Sequence, residues 1–397
     1  MNKTRIYLAL LIAASSAHAA SPKIIGGGDA SSTPPWIASL QAKSGLTGAA
    51  IGHICGATLI DTQWALTAAH CVDGAGTAER TLLIGKSSNA VDEKNQVTID
   101  QIIIHPGWKG DISDAAADIT SYQDDIALLH LGKAQSVTGV TRATAAQQDS
   151  LTNDQDVVAM GWGATDYAGK SYPLTLQQVT LPYRGKAYSA YLPNHLFAGG
   201  FSDKGLCFGD SGGPLLIGNV QYGISSLVLG NNSTVPHQCA NDSMFAGFTS
   251  VADYAAWIDA QLNGLNYSNY QHILVEHSKT AMAHFVIRNH DNVDWTISHV
   301  AADVTLEDNC SGKTLAPGSS CELVANYTGT TNGLDSKTIT FTASSTNGTT
   351  QGNMKLDAET ISVPTGNDAV DSNGGGSLGL VGLLGLGVFG WCRRSKR

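Results

Sequence analysis

The chain has 397 residues, 42% of them hydrophobic and 14% charged, with 44 glycines and a formal net charge of −10. That length exceeds one ordinary domain and predicts two folded units with terminal segments. The acidic balance excludes nucleic acid as a partner, since phosphate binding needs basic patches, and the glycine content suits a β-rich chain with many turns.

In chain order, residues 1–19 read as a secretory signal peptide. Lys3 and Arg5 give a positive start, Ile6 to Ala14 an apolar run, and Ala17-His18-Ala19 a small-x-small cleavage site. A membrane anchor would need about 20 apolar residues. The seven cysteines are therefore read in an oxidising compartment, although sequence alone does not assign their pairs.

From Ile24 to Leu262 short strands alternate with turn signals, among them Val97 to Ile104, Asp125 to Leu131, Asp156 to Gly161 and Gln177 to Leu181. Aliphatic and β-branched residues dominate, as in the core of a barrel or sandwich. A helix closes the segment, because Val251, Tyr254, Ile258 and Leu262 recur at helical spacing. The polar stretch 263–270 reads as a linker. A second β-pattern over residues 271–363 includes Ala281 to Arg288, Thr296 to Val300, Cys321 to Tyr327 and Lys337 to Ala343, and predicts a small β-sandwich. The rest, residues 364–397, begins as a Gly/Asn/Asp/Ser-rich stretch expected to be disordered. It ends in an apolar run, Leu378 to Trp391, then Cys392 and the basic Arg393, Arg394, Lys396 and Arg397.

Three local sequences carry the parts of a hydroxyl nucleophile, which needs an imidazole to take its proton and a third group to hold that imidazole. Thr67-Ala68-Ala69-His70-Cys71 supplies the histidine, Asp125-Ile126-Ala127-Leu128-Leu129 a carboxylate ahead of an apolar strand, and Gly209-Asp210-Ser211-Gly212-Gly213-Pro214 a serine among glycines. Each alone is unremarkable. Together, in the order His, Asp, Ser, the segment from Ile24 to Leu262 resembles the trypsin/chymotrypsin family of serine endopeptidases.

The resemblance implies an all-β chain, with a two-barrel protease domain over 24–262 and a C-terminal helix. It makes Ser211 the nucleophile, His70 the base and then the acid, and Asp125 the group that orients His70; Asp124 lacks the family register. Gly209 and Ser211 would supply the oxyanion-hole N–H groups. Lys23-Ile24-Ile25-Gly26-Gly27 matches the family's activation site, so that cleavage after Lys23 would remove residues 20–23 and let the Ile24 amino group pair with Asp210. His53 matches a position that can hold Asp210 before cleavage, and Gly161-Trp162-Gly163 a supporting turn. Two of the family's bridges have both partners, Cys55–Cys71 and Cys207–Cys239.

By the same resemblance the substrate side chain enters a pocket based on Gly205, with Leu206, Ser226, Val228 and Ala246 around it. Gly205 stands where a trypsin-like enzyme carries Asp, and Val228 narrows the first wall. Small or medium aliphatic residues are the expected preference, larger apolar ones the runner-up, with the segment Asn231 to Gln238 an apparent insertion. Cleavage after Lys23 would then require a separate trypsin-like protease.

Asp308-Asn309-Cys310 through Cys321 resembles the Cys-bridged hairpin of bacterial immunoglobulin-like domains, implying a Cys310–Cys321 bridge and either a binding module or a passive spacer. The tail from Gly374-Gly375-Gly376 to Arg394 resembles the GlyGly-CTERM sorting signal of Gram-negative bacteria, basic end inside. This implies transient inner-membrane retention, removal of the tail by an intramembrane protease, type II export, and a secreted or cell-surface product. No metal-ligand spacing is visible, and no cofactor is expected. The rival readings are a catalytically silent protease-fold scaffold or adhesin, and an esterase, whose residue order is ordinarily different.

Overall fold

The structure, a computed structural model, describes residues 24–110, 119–166, 169–186, 190–199, 204–229, 239 and 245–362. The expected signal peptide, Lys23, the 231–238 insertion and the sorting tail lie outside the described residues.

After the short β1 (Gly28–Asp29), six strands close a first barrel: β2 (Ile37–Lys43), β3 (Ala50–Leu59), β4 (Trp64–Thr67), β5 (Arg80–Ile84), β6 (Gln96–Ile104) and β7 (Ala127–Leu131). Their order around the barrel is β2-β3-β4-β7-β6-β5. Ile37, Leu40, Leu59, Leu66, Leu82, Ile102 and Leu128 fill it, all with no exposed surface. Strand β7 is buried at every position, so its sequence ALLHL lacks the alternation of a strand with one wet face.

The second unit contains β8 (Thr141–Arg142), α1 (Ala145–Asp149), β9 (Asp156–Gly161), β10 (Gln177–Pro182), β11 (His195–Gly199), β12 (Pro214–Ile217), β13 (Val220–Leu229) and β14 (Phe245–Ser250). The sheet runs β1-β10-β9-β12-β13-β14-β11, with β8 parallel to β13. An isolated Tyr183↔Ala198 bridge joins its two sides and gives it a barrel form. Helix α2 (Ala255–Asn263) follows, anchored by buried Tyr254 and Ile258.

The C-terminal strands are β15 (Leu265–Tyr267), β16 (Tyr270–Glu276), β17 (Thr280–Asn289), β18 (Trp295–Ala302), β19 (Thr305–Asp308), β20 (Thr314–Leu315), β21 (Ser320–Thr328), β22 (Gly333–Ser345) and β23 (Gly348–Ile361). They form two sheets, β15-β17-β21-β19 and β16-β23-β22-β18-β20, around Phe285, Ile287, Trp295, Leu323, Phe341 and Leu356. A cystine joins Cys310 to Cys321.

The stretch 263–270 is not a free linker. It is the end of α2, strand β15 and the start of β16, and it is docked on the first barrel. Tyr270 belongs to that barrel's core cluster. The Asn269 side chain bonds both the N–H and the C=O of Ile104, at 2.9 and 2.6 Å. Its polarity reflects satisfied interface hydrogen bonds rather than solvation.

Candidate active site

Asp125 lies just before β7, in the crevice between the barrels, with no exposed surface. Its two oxygens divide the work of holding His70. Oδ1 accepts the His70 backbone N–H at 2.9 Å, and Oδ2 accepts the ring Nδ1–H at 2.8 Å. A carboxylate can only accept, so Nδ1 carries a proton, and in the neutral ring Nε2 keeps its lone pair. Burial works against a charged His70, but the charge and hydrogen bond of Asp125 outweigh it and lift the pKa above 6.5. At Asp125 burial likewise opposes ionisation, while His70 and then the Ser226 hydroxyl hold the carboxyl below its usual range.

His70 is fixed from behind by the Cys55–Cys71 disulfide. The same bridge leads to the serine: Gly56, next to Cys55, donates its N–H to the Ser211 carbonyl at 2.7 Å. Gly212 N–H reaches Ser225 O on β13 at 2.8 Å, so the serine loop spans the two barrels. Gly209 and Gly212 have φ of +98° and +77°, and a Cβ on Gly212 would stand 2.2 Å from Gly56 O and 2.4 Å from Thr67 Oγ1. Only glycine allows this turn to sit so close to the histidine segment. Among the described residues, the N–H groups of Gly209 and Ser211 have no backbone partner. Ser211 Oγ makes no hydrogen bond to His70 here, a contact that commonly tightens only with substrate bound.

Asp210 is buried, and its oxygens accept Gly163 N–H at 2.8 Å and Cys207 N–H at 3.0 Å. Burial pushes its pKa up to about 7, the two N–H groups pulling the other way. Ile24 is fully buried in the core of the second barrel. His53 does not hold Asp210. Its Nε2 meets Gly209 O at 3.0 Å and its Nδ1 meets Ser39 Oγ at 2.8 Å, and burial lowers its pKa to about 4. A neutral ring donating to the carbonyl and accepting from the hydroxyl satisfies both contacts.

Around the expected pocket, Gly205 is buried and donates to Ile25 O at 3.1 Å. Val228 faces Ala246 across the β13–β14 ladder. Leu206 is 2% exposed and belongs to the second barrel's core with Ile24 and Phe248. Ser226, expected beside the pocket, donates its hydroxyl to Asp125 Oδ2 at 2.6 Å, a contact the sequence did not suggest. Thr249, which the sequence did not single out, donates to the Asp125 carbonyl at 2.9 Å. Both lie more than a hundred residues from Asp125, so no local spacing could have revealed them. Asp124, at φ 59°, is tied to Tyr254 OH at 2.6 Å.

Cys207–Cys239 is bridged. Cys55, His70 and Cys71 bring donor atoms within 4.8 Å of one another, but both sulfurs are spent in a disulfide and offer no thiolate to a metal.

Residues 24–258 match the family model described as Trypsin. Kallikrein-12 of Homo sapiens is 30% identical over 64% of this chain and 96% of its own length. Chymotrypsin-like elastase family member 1 of Macaca fascicularis is 34% identical over 60% of this chain and 88% of its own. Among solved structures, the VesB protease of Vibrio cholerae covers 85% of this chain and all of its own at 21% identity and a TM-score of 0.56. The secreted serine protease VesC of Vibrio cholerae covers 84% of this chain and 71% of its own, with the same identity and score. At that identity the likeness is one of fold, and its reach extends beyond the barrels into the C-terminal sheets.

Proposed function

The chain belongs to the trypsin family of serine proteases, and on that premise we propose that it is an active endopeptidase using Ser211, His70 and Asp125. The observation that carries this reading is the pair of hydrogen bonds from His70 to Asp125, which leaves Nε2 of the neutral ring as base beside the serine loop. Ser211 Oγ attacks the scissile carbonyl carbon while its proton passes to His70 Nε2. The carbonyl oxygen, now negative, takes the Gly209 and Ser211 N–H groups. The C–N bond then breaks, and His70 returns the proton to the leaving amine. Water, activated by the same nitrogen, hydrolyses the ester and frees Ser211. These groups need no cofactor.

Activation follows cleavage between Lys23 and Ile24. A buried carboxylate whose pKa is forced up to about 7 shows no cationic partner among the described residues, and an α-amino group at Ile24, itself buried, would supply one. The apolar Val228–Ala246 pairing and the absence of an acid at Gly205 favour small or medium aliphatic residues before the scissile bond. Removal of residues 1–23 then belongs to a signal peptidase and a trypsin-like partner. Residues 364–397 serve an intramembrane protease and type II export, giving a secreted or cell-surface enzyme.

The test is mass spectrometry of a peptide library digested by the chain processed to begin at Ile24, beside Ser211→Ala. Cleavage after Ala or Val, absent from the variant, is expected. Cleavage after Lys or Arg would overturn the pocket assignment, and no Ser211-dependent cleavage would favour a scaffold.

A further inference from the structure

A histidine that the reaction steps leave unused stands behind Asp125. His195, on β11, is 1% exposed and pairs in register with Thr249 of β14. Its Nε2 lies 3.4 Å from Ser226 Oγ and 3.4 Å from Thr249 Oγ1. Neither oxygen has a proton to spare. Ser226 gives its proton to Asp125 Oδ2 and Thr249 to the Asp125 carbonyl, and a carboxylate or carbonyl oxygen can only accept. Both hydroxyls must therefore accept from the imidazole, so Nε2 carries hydrogen. Burial pushes the His195 pKa down to about 4, against the pull of Asp125, Asp124 and Asp253, so the ring is neutral and Nδ1 is bare.

That bare Nδ1 is buried with no hydrogen-bond partner, a destabilising arrangement. An apolar side chain of similar size would fill the same space without an orphaned nitrogen. What it would lack is the N–H.

We infer that His195 is a positioning residue: its Nε2–H, shared between Ser226 and Thr249, turns both hydroxyls toward Asp125 and thereby fixes the carboxylate that orients His70. The line of contacts runs from β11 through β13 and β14 of the second barrel to Asp125 and His70 of the first, so it also sets the relative placement of the triad's two halves. Without the N–H, each hydroxyl is free to rotate away, and Asp125 loses directed donors at its carboxylate and at its backbone. The inference rests on Ser211, His70 and Asp125 being the reacting groups.

The experiment uses the full chain processed to begin at Ile24. His195→Met keeps bulk and removes the N–H, while His195→Gln places an amide N–H near the Nε2 position. We expect His195→Met to lower kcat about fivefold, the value of one hydrogen bond, with KM changed less than twofold, and His195→Gln to recover most of the loss. In the Ser226→Ala, Thr249→Val background, His195→Met should have no further effect. Equal activity of His195→Met and wild type, no recovery by Gln, or a full loss in that background would overturn the inference. Imidazole 15N shifts of the unsubstituted protein test it independently of any variant's folding. A protonated Nε2 and bare Nδ1 at pH 7 are expected, and the opposite tautomer defeats the idea. Absence of Ser211-dependent activity in the unsubstituted enzyme would instead sink the proposed function, leaving the tautomer measurement to stand alone.

Discussion

Ser226 and His70 converge on one oxygen: Oδ2 of Asp125 accepts the hydroxyl at 2.6 Å and the imidazole Nδ1–H at 2.8 Å. The hydroxyl stabilises the carboxylate in its ionised form and limits its rotation. Ser226→Ala removes one hydrogen bond to a charged acceptor, worth about 1.5–3 kcal/mol. Asp125 keeps its bond to the His70 backbone, so the His70 segment stays in place. Steady-state kinetics should show kcat reduced about tenfold with KM little changed; unaltered kcat would mean that Ser226 is only a pocket wall.

The same pair sets the acid side of the pH profile. The proposed mechanism needs neutral His70, and Asp125 outweighs burial to raise the His70 pKa above its ordinary value of 6.5. Activity should therefore fall as pH drops through a midpoint above 6.5, and the lost fraction should be protonated enzyme. Asp125→Asn removes the charge that raises the midpoint, so the profile should move to lower pH. Turnover at its plateau should drop about 10⁴-fold, because the amide favours the wrong tautomer. A profile that stays in place would assign the titration to another group.

Asp210 gives a contrast between two forms of the chain. Its folded pKa, pushed up to about 7 by burial, means that the folded state without an amino partner binds more protons than the unfolded chain between about pH 4 and 7. Stability should fall as pH rises through that window. Pairing with the Ile24 amino group would lower the pKa and reverse the sign. In a Ser211→Ala background, thermal midpoints of unprocessed and processed chains should separate as pH rises from 4.5 to 7.5, by a few kcal/mol in stability. Parallel curves would remove Asp210 from activation.

The proposed reacting groups could be picked out in the sequence because each sits in its own short segment. His70 next to Cys71, Asp125 ahead of an apolar run, and Ser211 among glycines whose left-handed angles the turn requires are all local signals. Their supports were not legible. Ser226, Thr249 and His195 reach Asp125 across the barrel interface, and nothing near them in sequence marks that role. Strand positions were readable within a few residues where composition was aliphatic, as for β9 and β17. Residues 263–270 misled because polar side chains that bond another domain's backbone look like a solvated linker. A position, rather than a contact, suggested Asp210 as the partner of His53 before cleavage, and the contacts seen are with Ser39 and Gly209.

Val228 offers a direct check on the pocket. Its side chain stands opposite Ala246 on adjacent strands and packs against the second barrel's core. Val228→Gly removes the branched wall without adding charge. Cleavage after Phe or Tyr should rise about tenfold relative to cleavage after Ala, since a few methylene-sized contacts are worth 1–3 kcal/mol. An unchanged ratio in the library digest would place the size limit elsewhere.

The docked sandwich has its own titrating contact. His272 Nδ1 meets Glu79 Oε2 at 3.0 Å, on the loop that leads from Cys71 to β5, and a Cβ on Gly76 of that loop would stand 2.2 Å from His272 O. The Gln271 side chain accepts Thr77 N–H at 3.1 Å. Burial opposes a charged His272, but Glu79, by hydrogen bond and charge, and Glu359 beyond it outweigh burial and raise its pKa. A raised folded pKa contributes stability that is full below the unfolded value of 6.5 and is lost as pH climbs through the folded one. His272→Asn keeps a donor near Nδ1 and removes the charge. Its destabilisation should be about 1 kcal/mol at pH 6 and vanish by pH 9, as read from denaturant midpoints. A difference independent of pH would mean that His272 acts through packing on Gly76 alone, and that the charge pair contributes nothing to holding the two domains together.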